Sequence, residues 1–592
     1  MLLKRLQSKR FLIILAISII VIIAVSLLAV YIHYDKPSKL DIIPDPNEPL
    51  PPSSMPMGVY DKVGVVSNGE PCAEIGRNVL EKGGNAIDAI IATLICDGVH
   101  CPEYMGLGGG FLMTIYNGTT KTATAVNARE SAPAAANETM FVNDSIKSQI
   151  GGLAIAIPGE LKGYWTVFNK YGSGEVTWSS LFEPTIKQCE EGIAVSQRLA
   201  KNMANNEELI KNSTTLKKHF FDEKTGRVKK AGDIYKLPEL AETMRIVAKH
   251  GADALYNGEL TQQLIEDIKD AGGIITADDL ANYNVEVEDA FNVTMSNGVT
   301  LHAGPPPGSG VILAHILRVL DGKLPAPNAG LDAHRLVEAF KFAYGERTHL
   351  GDHNFVNVTE IFRKIQSADY INEIQNKMND HFTSLDPVYY GADFGIPADH
   401  GTANVVVLDA LGNAVVATST VNTIFGSMLM SKGTGIILNS EMDDFSTPGV
   451  PNYFGIPPSP ANYIAPRKRP MSSMCPAIIT NSEGDVVLAF GAAGGSKITL
   501  ATSYVASLVL WSNKTLKEAV DEPRLYHQLV PMRIDYEYGV LRDVIKNLTD
   551  VGHPVKRLKV RGGSAVTAIH RTTGGKITAM ADFRRPGNIS GF

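Results

Sequence analysis

The stretch that decides the fold is residues 399–445, DHGTANVVVLDALGNAVVATSTVNTIFGSMLMSKGTGIILNSEMDDF. Gly401-Thr402 stands directly before residues 405–408, a β-rich run that is apolar on both faces. A second β-rich run, residues 414–420, follows the polar loop 409–413, and this pattern predicts a hairpin with a five-residue loop. A strand that is apolar on both faces is expected inside a covered sheet.

Thr402 is the candidate nucleophile of this hairpin. A threonine hydroxyl is a poor nucleophile unless a base lies within hydrogen-bond reach, and cleavage of the preceding peptide bond supplies one as the threonine's own α-amine. Gly401 suits such a cleavage because a residue without a side chain tolerates strained backbone geometry. The alternative is a turn glycine followed by an ordinary strand residue.

Polar side chains in the same stretch form two candidate groups. Period-two alternation places Thr418, Thr420 and Asn422 on one face of the second strand. Glu441 and Asp444 are three residues apart, so in a helical turn they share one side and could bind a cation such as a substrate ammonium group. A solvated acidic turn is the alternative for this pair.

Arg129 follows the predicted strand 122–126 and precedes a Pro/Ala-rich turn. At a strand end, its planar guanidinium could bind a carboxylate through two parallel hydrogen bonds. On local grounds the commoner arrangement is a surface ion pair with Glu130.

Gly494 and Gly495 lie between a predicted hairpin, residues 477–490, and a predicted helix that begins near Lys497. Glycines that enter a helix leave backbone N–H groups free to bind an oxyanion. A phosphate-binding loop is excluded because Lys497 is followed by Ile498 and not by Ser or Thr, and because the glycine spacing differs.

These motifs, from about residue 64 to the C-terminus, together resemble the gamma-glutamyltransferase (gamma-glutamyl transpeptidase) family. The resemblance implies an α+β N-terminal-nucleophile hydrolase fold, an αββα four-layer sandwich, and autocleavage at Gly401-Thr402 into a large piece, residues 58–401, and a small piece, residues 402–592, that stay together as a heterodimer. It implies cleavage of the γ-glutamyl amide of glutathione and its conjugates through an acyl-enzyme, with transfer to water or to an amino acid or dipeptide acceptor. No metal or organic cofactor is expected. The implied roles are nucleophile for Thr402, orientation of the nucleophile for Thr420, oxyanion binding for Gly494 and Gly495, α-carboxylate binding for Arg129, Ser472 and Ser473, and α-ammonium binding for Asn422, Glu441 and Asp444.

The N-terminus carries a predicted membrane anchor. Residues 11–32 form an uncharged apolar run of 22 residues, long enough to cross a bilayer, and Lys4, Arg5, Lys9 and Arg10 precede it. This charge bias predicts a cytoplasmic tail, residues 1–10, and a catalytic domain outside the plasma membrane, a single-pass type II topology. A cleaved signal peptide is the alternative, although its apolar core is normally about 7–15 residues long. Seven prolines predict that residues 33–57 form an extended stem.

The charge distribution argues against a nucleic-acid partner. The net charge is −7 with acidic and basic residues mixed along the chain, so no basic surface is expected.

The cysteines and the glycosylation sequons favour export. Of the five cysteines, Cys72 and Cys96 match a disulfide pair of the family. Cys101 and Cys189 leave a second bridge possible, and Cys475 is expected to be a buried thiol. Glycosylation sequons occur at Asn117, Asn137, Asn143, Asn212, Asn292, Asn357, Asn513, Asn547 and Asn588.

Two other functions remain open at this point. A different amidase of the same fold, such as a β-lactam acylase, would have no reason to keep both the carboxylate-binding and the ammonium-binding residues. A catalytically silent surface glycoprotein would have no reason to keep Thr402.

Overall fold

The computed structural model describes residues 43–395, 401–449, 457–559 and 563–592. Within these ranges no helix combines the length and the apolar character needed to cross a membrane. The predicted cytoplasmic tail, the predicted membrane span and residues 33–42 of the predicted stem lie outside the described residues.

Twenty-three strands are present in the described chain. In chain order they are β1 (Gly58–Tyr60), β2 (Gly64–Ser67), β3 (Gly110–Asn117), β4 (Thr122–Ala128), β5 (Ile193–Ala194), β6 (Phe221–Asp222), β7 (Arg227–Val228), β8 (Ile234–Tyr235), β9 (Glu286–Asp289), β10 (Phe291–Thr294), β11 (Thr300–Ala303), β12 (Gly401–Leu408), β13 (Ala414–Asn422), β14 (Leu429–Met430), β15 (Ile437–Leu438), β16 (Ala477–Thr480), β17 (Val486–Ala493), β18 (Leu525–Tyr526), β19 (Ile534–Tyr536), β20 (Val555–Arg557), β21 (Ala565–Arg571), β22 (Ile577–Ala581) and β23 (Asn588–Gly591).

The α-helices of the same ranges connect and cover these strands. In chain order they are α1 (Cys72–Glu81), α2 (Ala86–His100), α3 (Glu160–Tyr171), α4 (Trp178–Glu191), α5 (Gln197–Asn205), α6 (Glu207–Asn212), α7 (Thr214–Phe220), α8 (Pro238–His250), α9 (Asp253–Tyr256), α10 (Thr261–Asp270), α11 (Ala277–Ala281), α12 (Gly310–Leu320), α13 (Ala329–Arg347), α14 (Thr359–Gln366), α15 (Ala368–Lys377), α16 (Ile498–Trp511), α17 (Leu516–Asp521) and α18 (Arg542–Val551).

Two seven-stranded antiparallel sheets form the centre of the protein. Sheet 1 has the order β1-β22-β21-β17-β16-β11-β10, and sheet 2 has the order β23-β2-β12-β13-β3-β4-β9. Apolar side chains such as Val406 and Ile569 fill the space between the sheets. Helices α1 and α2 pack in the core on the outer face of sheet 2, and α12, α13 and α16 pack in the core on that of sheet 1. The described residues therefore form the αββα sandwich that the resemblance implied.

The predicted hairpin is present as β12 and β13, in which Leu408 faces Ala414 across the loop. Asp409 holds this loop, because its carboxylate accepts hydrogen bonds from the backbone N–H groups of Leu411 at 2.9 Å and Asn413 at 3.0 Å. The same carboxylate accepts from the N–H of Ala86 at 3.1 Å, which ties the start of α2 to the hairpin. The hairpin thus lies at the centre of sheet 2, covered on both faces as its apolar runs predict.

Helices α1 and α2 are joined by a disulfide between Cys72 and Cys96, the pair that the resemblance implied. Asn85 begins α2 with a capping box in which its side chain accepts from the backbone and the Asp88 carboxylate accepts from the Asn85 N–H. The remaining cysteines, Cys101, Cys189 and Cys475, are unpaired and buried in the structure. The second bridge that the sequence left possible is therefore not formed.

The proline-rich segment departs from the expected free spacer. Asp45 accepts a hydrogen bond from the Tyr536 hydroxyl at 2.9 Å and forms an ion pair with Arg557 at 3.0 Å. Ser53 donates to the Asp521 carboxylate from both its backbone N–H and its hydroxyl. Prolines keep the segment extended but lack N–H groups, so its carbonyls remain available to donors on the protein surface, such as the Lys517 ammonium. The described part of the stem consequently lies against the small piece.

A buried polar group links the two sheets next to Thr402. Asn404 on β12 donates from its amide to the Thr567 hydroxyl on β21 at 2.6 Å and accepts from the Thr418 hydroxyl at 2.6 Å. Gly491 on β17 leaves the space for this group, because a Cβ there would lie 2.2 Å from the Asn404 amide oxygen.

We predict that Thr567→Val lowers the thermal unfolding midpoint clearly. Valine has the same shape, but it leaves the buried Asn404 amide without its acceptor, which costs about 1–3 kcal/mol. Thr300→Val is the matched control, since Thr300 is a half-exposed strand threonine whose hydroxyl exchanges a hydrogen bond with that of Thr294. Equal midpoints for the two variants, measured by differential scanning fluorimetry, would contradict the role of the buried group.

Candidate active site

Thr402 is the second residue of β12 and is almost completely buried. The Gly494 N–H donates a hydrogen bond to Thr402 Oγ1 at a distance of 3.0 Å. The candidate nucleophile of the small piece therefore contacts one of the two glycines that the sequence indicated as oxyanion donors.

The Gly494-Gly495 backbone has a conformation that requires glycine. Gly494 has φ = 135° and Gly495 has φ = 60°, and a Cβ at Gly494 would lie 2.6 Å from the Gly563 carbonyl oxygen. A single 3-10 turn, Gly495–Lys497, then leads into α16. The turn directs the Gly494 N–H toward Thr402 instead of into the helix.

Thr420 contacts the peptide bond before Thr402. Its hydroxyl donates to the Gly401 carbonyl oxygen at 2.6 Å and accepts from the Asn422 N–H at 2.7 Å. In the uncleaved chain this hydrogen bond polarises the carbonyl that Thr402 would attack during self-cleavage, and the role that the resemblance assigns to Thr420, orienting the nucleophile, stays a prediction. Gly401 also allows close packing here, because a Cβ would lie 2.9 Å from the Tyr104 ring.

Arg129 is completely buried, so the surface ion pair expected on local grounds is wrong. Its guanidinium donates to Glu441 at 2.6 Å and to Asp444 at 2.5 Å. Glu441 and Asp444 lie in a 3-10 turn, Glu441–Asp444, and share one side of it as predicted. The cation on which they converge in this structure is Arg129. Glu130 is also near, with its carboxylate 3.8 Å from the same guanidinium.

The segment that carries Ser472 and Ser473, called the serine segment below, contacts Arg129 through its backbone. Arg129 donates to the carbonyl oxygen of Pro470 at 2.8 Å and to that of Met471 at 3.3 Å, directly before Ser472. The Ser473 hydroxyl accepts a hydrogen bond from Arg347 at 3.0 Å.

The Asn422 side chain contacts the backbone directly before Glu441. Asn422 has φ = 70°, and its amide donates to the Ser440 carbonyl oxygen at 2.9 Å, one residue before Glu441. The structure thus gathers the residues that the sequence suggested for binding the two charged groups of an α-amino acid.

Two carboxyl groups of this cluster, those of Glu441 and Glu130, hold protons more tightly than usual. Burial, reinforced by the neighbouring Glu130 and opposed by Arg129, raises the pKa of Glu441 to about 8. Burial likewise raises the pKa of Glu130 to about 8, although Arg129 opposes the change. Arg129 offsets only part of the cost of burying these two carboxyl groups in charged form, and a second cation beside them would lower their pKa.

Two residues of the site were missed by sequence reasoning. Arg585 donates a hydrogen bond to the Thr402 carbonyl oxygen, and its guanidinium lies 4.0 Å from the centre of the Tyr104 ring. Tyr104 also accepts from Arg198 at 2.7 Å. An Arg-Arg pair near the C-terminus was the available signal, but such pairs are usually exposed, and only the fold places this one beside Thr402.

Metal-ligand geometry occurs in three places among the described residues, all outside this cluster. Cys72 and Cys96 of the first group are bonded to each other. In the second, His334 hydrogen-bonds His553 at 2.8 Å and Glu338 pairs with Lys341. In the third, Glu286 forms an ion pair with Arg469. The geometry at Thr402 itself suits covalent catalysis by a hydroxyl.

Comparison with known proteins decides the family. Residues 72–592 match the family model described as Gamma-glutamyltranspeptidase. The chain belongs to the gamma-glutamyltranspeptidase family. It is 45% identical over 542 residues to Scoloptoxin SSD14 of Scolopendra dehaani, covering 90% of this chain and 93% of that protein. It is 38% identical to Glutathione hydrolase 3 of Arabidopsis thaliana (85% and 80% covered) and 34% identical to Glutathione hydrolase 5 proenzyme of Mus musculus (90% and 93% covered).

Solved structures of the family agree with this fold. The gamma-glutamyltranspeptidase of Helicobacter pylori is 30% identical, with a TM-score of 0.51, and the match covers 56% of this chain and 95% of that one. The cephalosporin acylase of Bacillus halodurans has a TM-score of 0.79 at 21% identity, covering 93% of this chain and 99% of that one, and this shows the shared fold alone. This gamma-glutamyltranspeptidase family member therefore has the N-terminal-nucleophile hydrolase fold that the resemblance implied.

We predict that Arg129→Gln destabilises the protein, because it leaves Glu441 and Asp444 buried without their cation, a cost of about 3–5 kcal/mol. Adding Glu441→Gln to the same variant removes one of the uncompensated charges and should recover part of the unfolding midpoint.

The control for this pair of variants is Arg335→Gln, because Arg335 makes a two-pronged ion pair with Asp380 in a half-exposed position. Such a pair contributes about 0–1 kcal/mol. A double variant that is no more stable than Arg129→Gln would show that Arg129 does not act as the counter-ion of Glu441.

Proposed function

We propose that this protein is a gamma-glutamyltransferase and glutathione hydrolase that acts outside the cell through a γ-glutamyl-Thr402 ester. The observation that carries the proposal is the position of Thr402, whose hydroxyl meets the Gly494 N–H while the preceding carbonyl is bound by Thr420. Membership of the gamma-glutamyltranspeptidase family supports it.

Self-cleavage comes first in the proposed sequence. Thr402 Oγ adds to the Gly401 carbonyl carbon, the bond from that carbon to the Thr402 nitrogen breaks, and the hydroxyl proton passes to the nitrogen. Water then hydrolyses the ester between Gly401 and Thr402. The products are a Gly401 carboxylate and a Thr402 whose free α-amine can serve as the base. The carbonyl bound by Thr420 is the oxygen on which negative charge develops in this step.

Substrate turnover repeats the same chemistry on a γ-glutamyl amide. Thr402 Oγ attacks the amide carbonyl carbon, its proton passes through the α-amine to the departing nitrogen, and the carbon–nitrogen bond breaks. Gly494 and Gly495 donate backbone N–H groups to the oxyanion. Water or the amine of an amino acid or dipeptide then attacks the ester and releases Thr402.

The glutamyl group is proposed to bind across the Arg129 ion pair. Its α-carboxylate would join Arg129, Ser472 and Ser473, and its α-ammonium would join Asn422, Glu441 and Asp444. Support comes from Glu441 Oε2, which is buried without a hydrogen-bond partner in the described part of the chain. An ammonium group there satisfies that oxygen and lowers the pKa of the carboxyl, so the binding of a zwitterion is mutually reinforcing.

The proposed location is the outer face of the plasma membrane, with the first residues cytoplasmic. Every sequon except Asn588 lies at an exposed asparagine. The disulfide between Cys72 and Cys96 is of the kind that persists in an oxidising compartment. The charge asymmetry around residues 11–32 supports a type II anchor.

We predict that Thr402→Ala remains one polypeptide and releases no product from a γ-glutamyl anilide, because both the nucleophile and the base are lost. Thr402→Ser is the matched control, since it keeps a hydroxyl and an α-amine and should cleave itself and turn over substrate. Measured with and without a dipeptide acceptor, the unchanged protein should release the anilide faster with the acceptor. Turnover by the alanine variant, or a small piece beginning elsewhere than Thr402, would refute the assignment.

We predict that glycosidase treatment of the protein from its native membrane lowers the mass of both pieces. Asn117 and Asn513 are exposed sequon asparagines on opposite sides of the cleavage site, so each piece carries at least one accessible acceptor. Enzymatic removal of glycans followed by a reducing gel measures the change. If neither piece shifts, the proposed export of the domain is wrong.

A further inference from the structure

A residue of the large piece forms a hydrogen bond to the turn that contains Gly494 and Gly495. Tyr344, completely buried in the last turns of α13, donates its hydroxyl to the Ser496 carbonyl oxygen at 2.6 Å. Ser496 lies two residues after Gly494, in the same 3-10 turn as Gly495. Gln528 fastens the other side of that residue by donating its side-chain amide to the Ser496 hydroxyl.

A short turn of this kind gains little stability from its own backbone. The Lys497 N–H makes a long hydrogen bond to the Gly494 carbonyl oxygen, with 3.4 Å between nitrogen and oxygen, and glycines such as Gly494 and Gly495 lose more backbone freedom on ordering than any other residue. The direction of the Gly494 N–H toward Thr402 therefore depends on contacts from outside the turn. Tyr344 and Gln528 supply two of these contacts, one to the backbone and one to the side chain.

Tyr344 is also connected to the predicted carboxylate-binding segment. The Arg347 guanidinium lies 5.8 Å from the centre of the Tyr344 ring and donates to the Ser473 hydroxyl at 3.0 Å. The end of α13 consequently contacts two parts of the site at once, the oxyanion turn through Tyr344 and the serine segment through Arg347.

We propose that Tyr344 is a positioning residue that aims the Gly494 and Gly495 N–H groups at the oxyanion through its hydrogen bond to Ser496, with Gln528 acting on the same turn. This inference rests on the proposed function. It concerns the transition state, since the ground-state γ-glutamyl group is held by other residues. Loss of the hydroxyl should therefore lower kcat and leave KM for the donor nearly unchanged.

The test compares Tyr344→Phe with Tyr116→Phe. Tyr116 is a buried tyrosine whose hydroxyl donates to the Gly484 carbonyl oxygen, also at 2.6 Å, in the hairpin turn that precedes β17. Gly484 lies before β17 and Gly494 follows it, so the control removes the same type of hydrogen bond from the opposite end of one strand. Both variants keep the aromatic ring. Tyr116→Phe removes the hydrogen bond before β17, and Tyr344→Phe removes the hydrogen bond after it.

Two measurements separate positioning from a merely structural role. The first is steady-state turnover of a γ-glutamyl anilide. Tyr344→Phe should lose about 10- to 100-fold in kcat, with KM changed by no more than about twofold. Tyr116→Phe should keep the kcat and KM of the unchanged protein. The second is inhibition by a γ-glutamyl boronic acid, whose boron forms a tetrahedral adduct with the Thr402 hydroxyl. Tyr344→Phe should weaken this inhibitor by the same factor as kcat/KM, because both report on oxyanion binding.

Gln528→Ala keeps the proposal testable if Tyr344→Phe does not fold, because the Gln528 side chain is only half-buried. We expect a smaller loss of kcat, about three- to tenfold, with the same unchanged KM.

Normal kcat and normal boronic acid affinity in either folded variant would overturn the proposal. A loss confined to KM would also overturn it. Failure of Tyr344→Phe to cleave itself would also overturn it, because the carbonyl attacked in that step is bound by Thr420. Absence of turnover in the unchanged protein would refute the proposed function separately.

Discussion

The site depends on the position of the peptide bond between Gly401 and Thr402, at the first residues of β12. Gly401 is paired with Asn422 across the hairpin, and a β-bulge separates this pair from the regular register that begins at Ala403. A bulge redirects the side chains beside it. Thr402 therefore lies where its hydroxyl reaches Gly494 in sheet 1 although its backbone belongs to sheet 2. The sandwich brings these two strand ends together, and neither sheet alone would form the site.

Electrostatics provides the second constraint. Arg129 is buried among Glu441, Asp444 and Glu130, an arrangement whose desolvation cost is repaid only when the charges satisfy one another. Such a cluster is weak evidence for stability. We propose that its use is recognition, because the carboxylate of a ligand would join Arg129 while the ammonium of the same ligand would join the acidic side chains. Burial, reinforced by Glu130, raises the pKa of Glu441, and an ammonium group beside this carboxyl would favour its charged form, which agrees with the ammonium half of the proposal.

Local patterns in the sequence predicted the elements that local forces determine. Alternating and apolar runs predicted the hairpin β12–β13, and the three-residue spacing predicted the shared side of Glu441 and Asp444. The contacts that complete the site are between residues far apart in sequence. Arg129 and Glu441 are separated by 312 positions, and Arg585 and the Thr402 carbonyl by 183. No local pattern encodes such pairings, so the partner of Arg129, the role of Arg585 and the docking of the proline-rich segment required the structure.

The same long-range contacts explain how a chain can cut itself at its own active site and keep its shape. Sheet 2 places β12 of the small piece beside β2 of the large piece, and β13 of the small piece beside β3 of the large piece, so its hydrogen bonds join the two pieces independently of the cleaved bond. The new terminus is held by Arg585 at the Thr402 carbonyl and by Gly494 at the hydroxyl, and neither contact uses the α-amine. Breaking the peptide bond therefore adds a base to the site without removing the contacts that position the nucleophile. Tyr344 makes a further contact of this kind, because a side chain of the large piece binds a turn of the small piece through a hydrogen bond that does not depend on the peptide bond between Gly401 and Thr402.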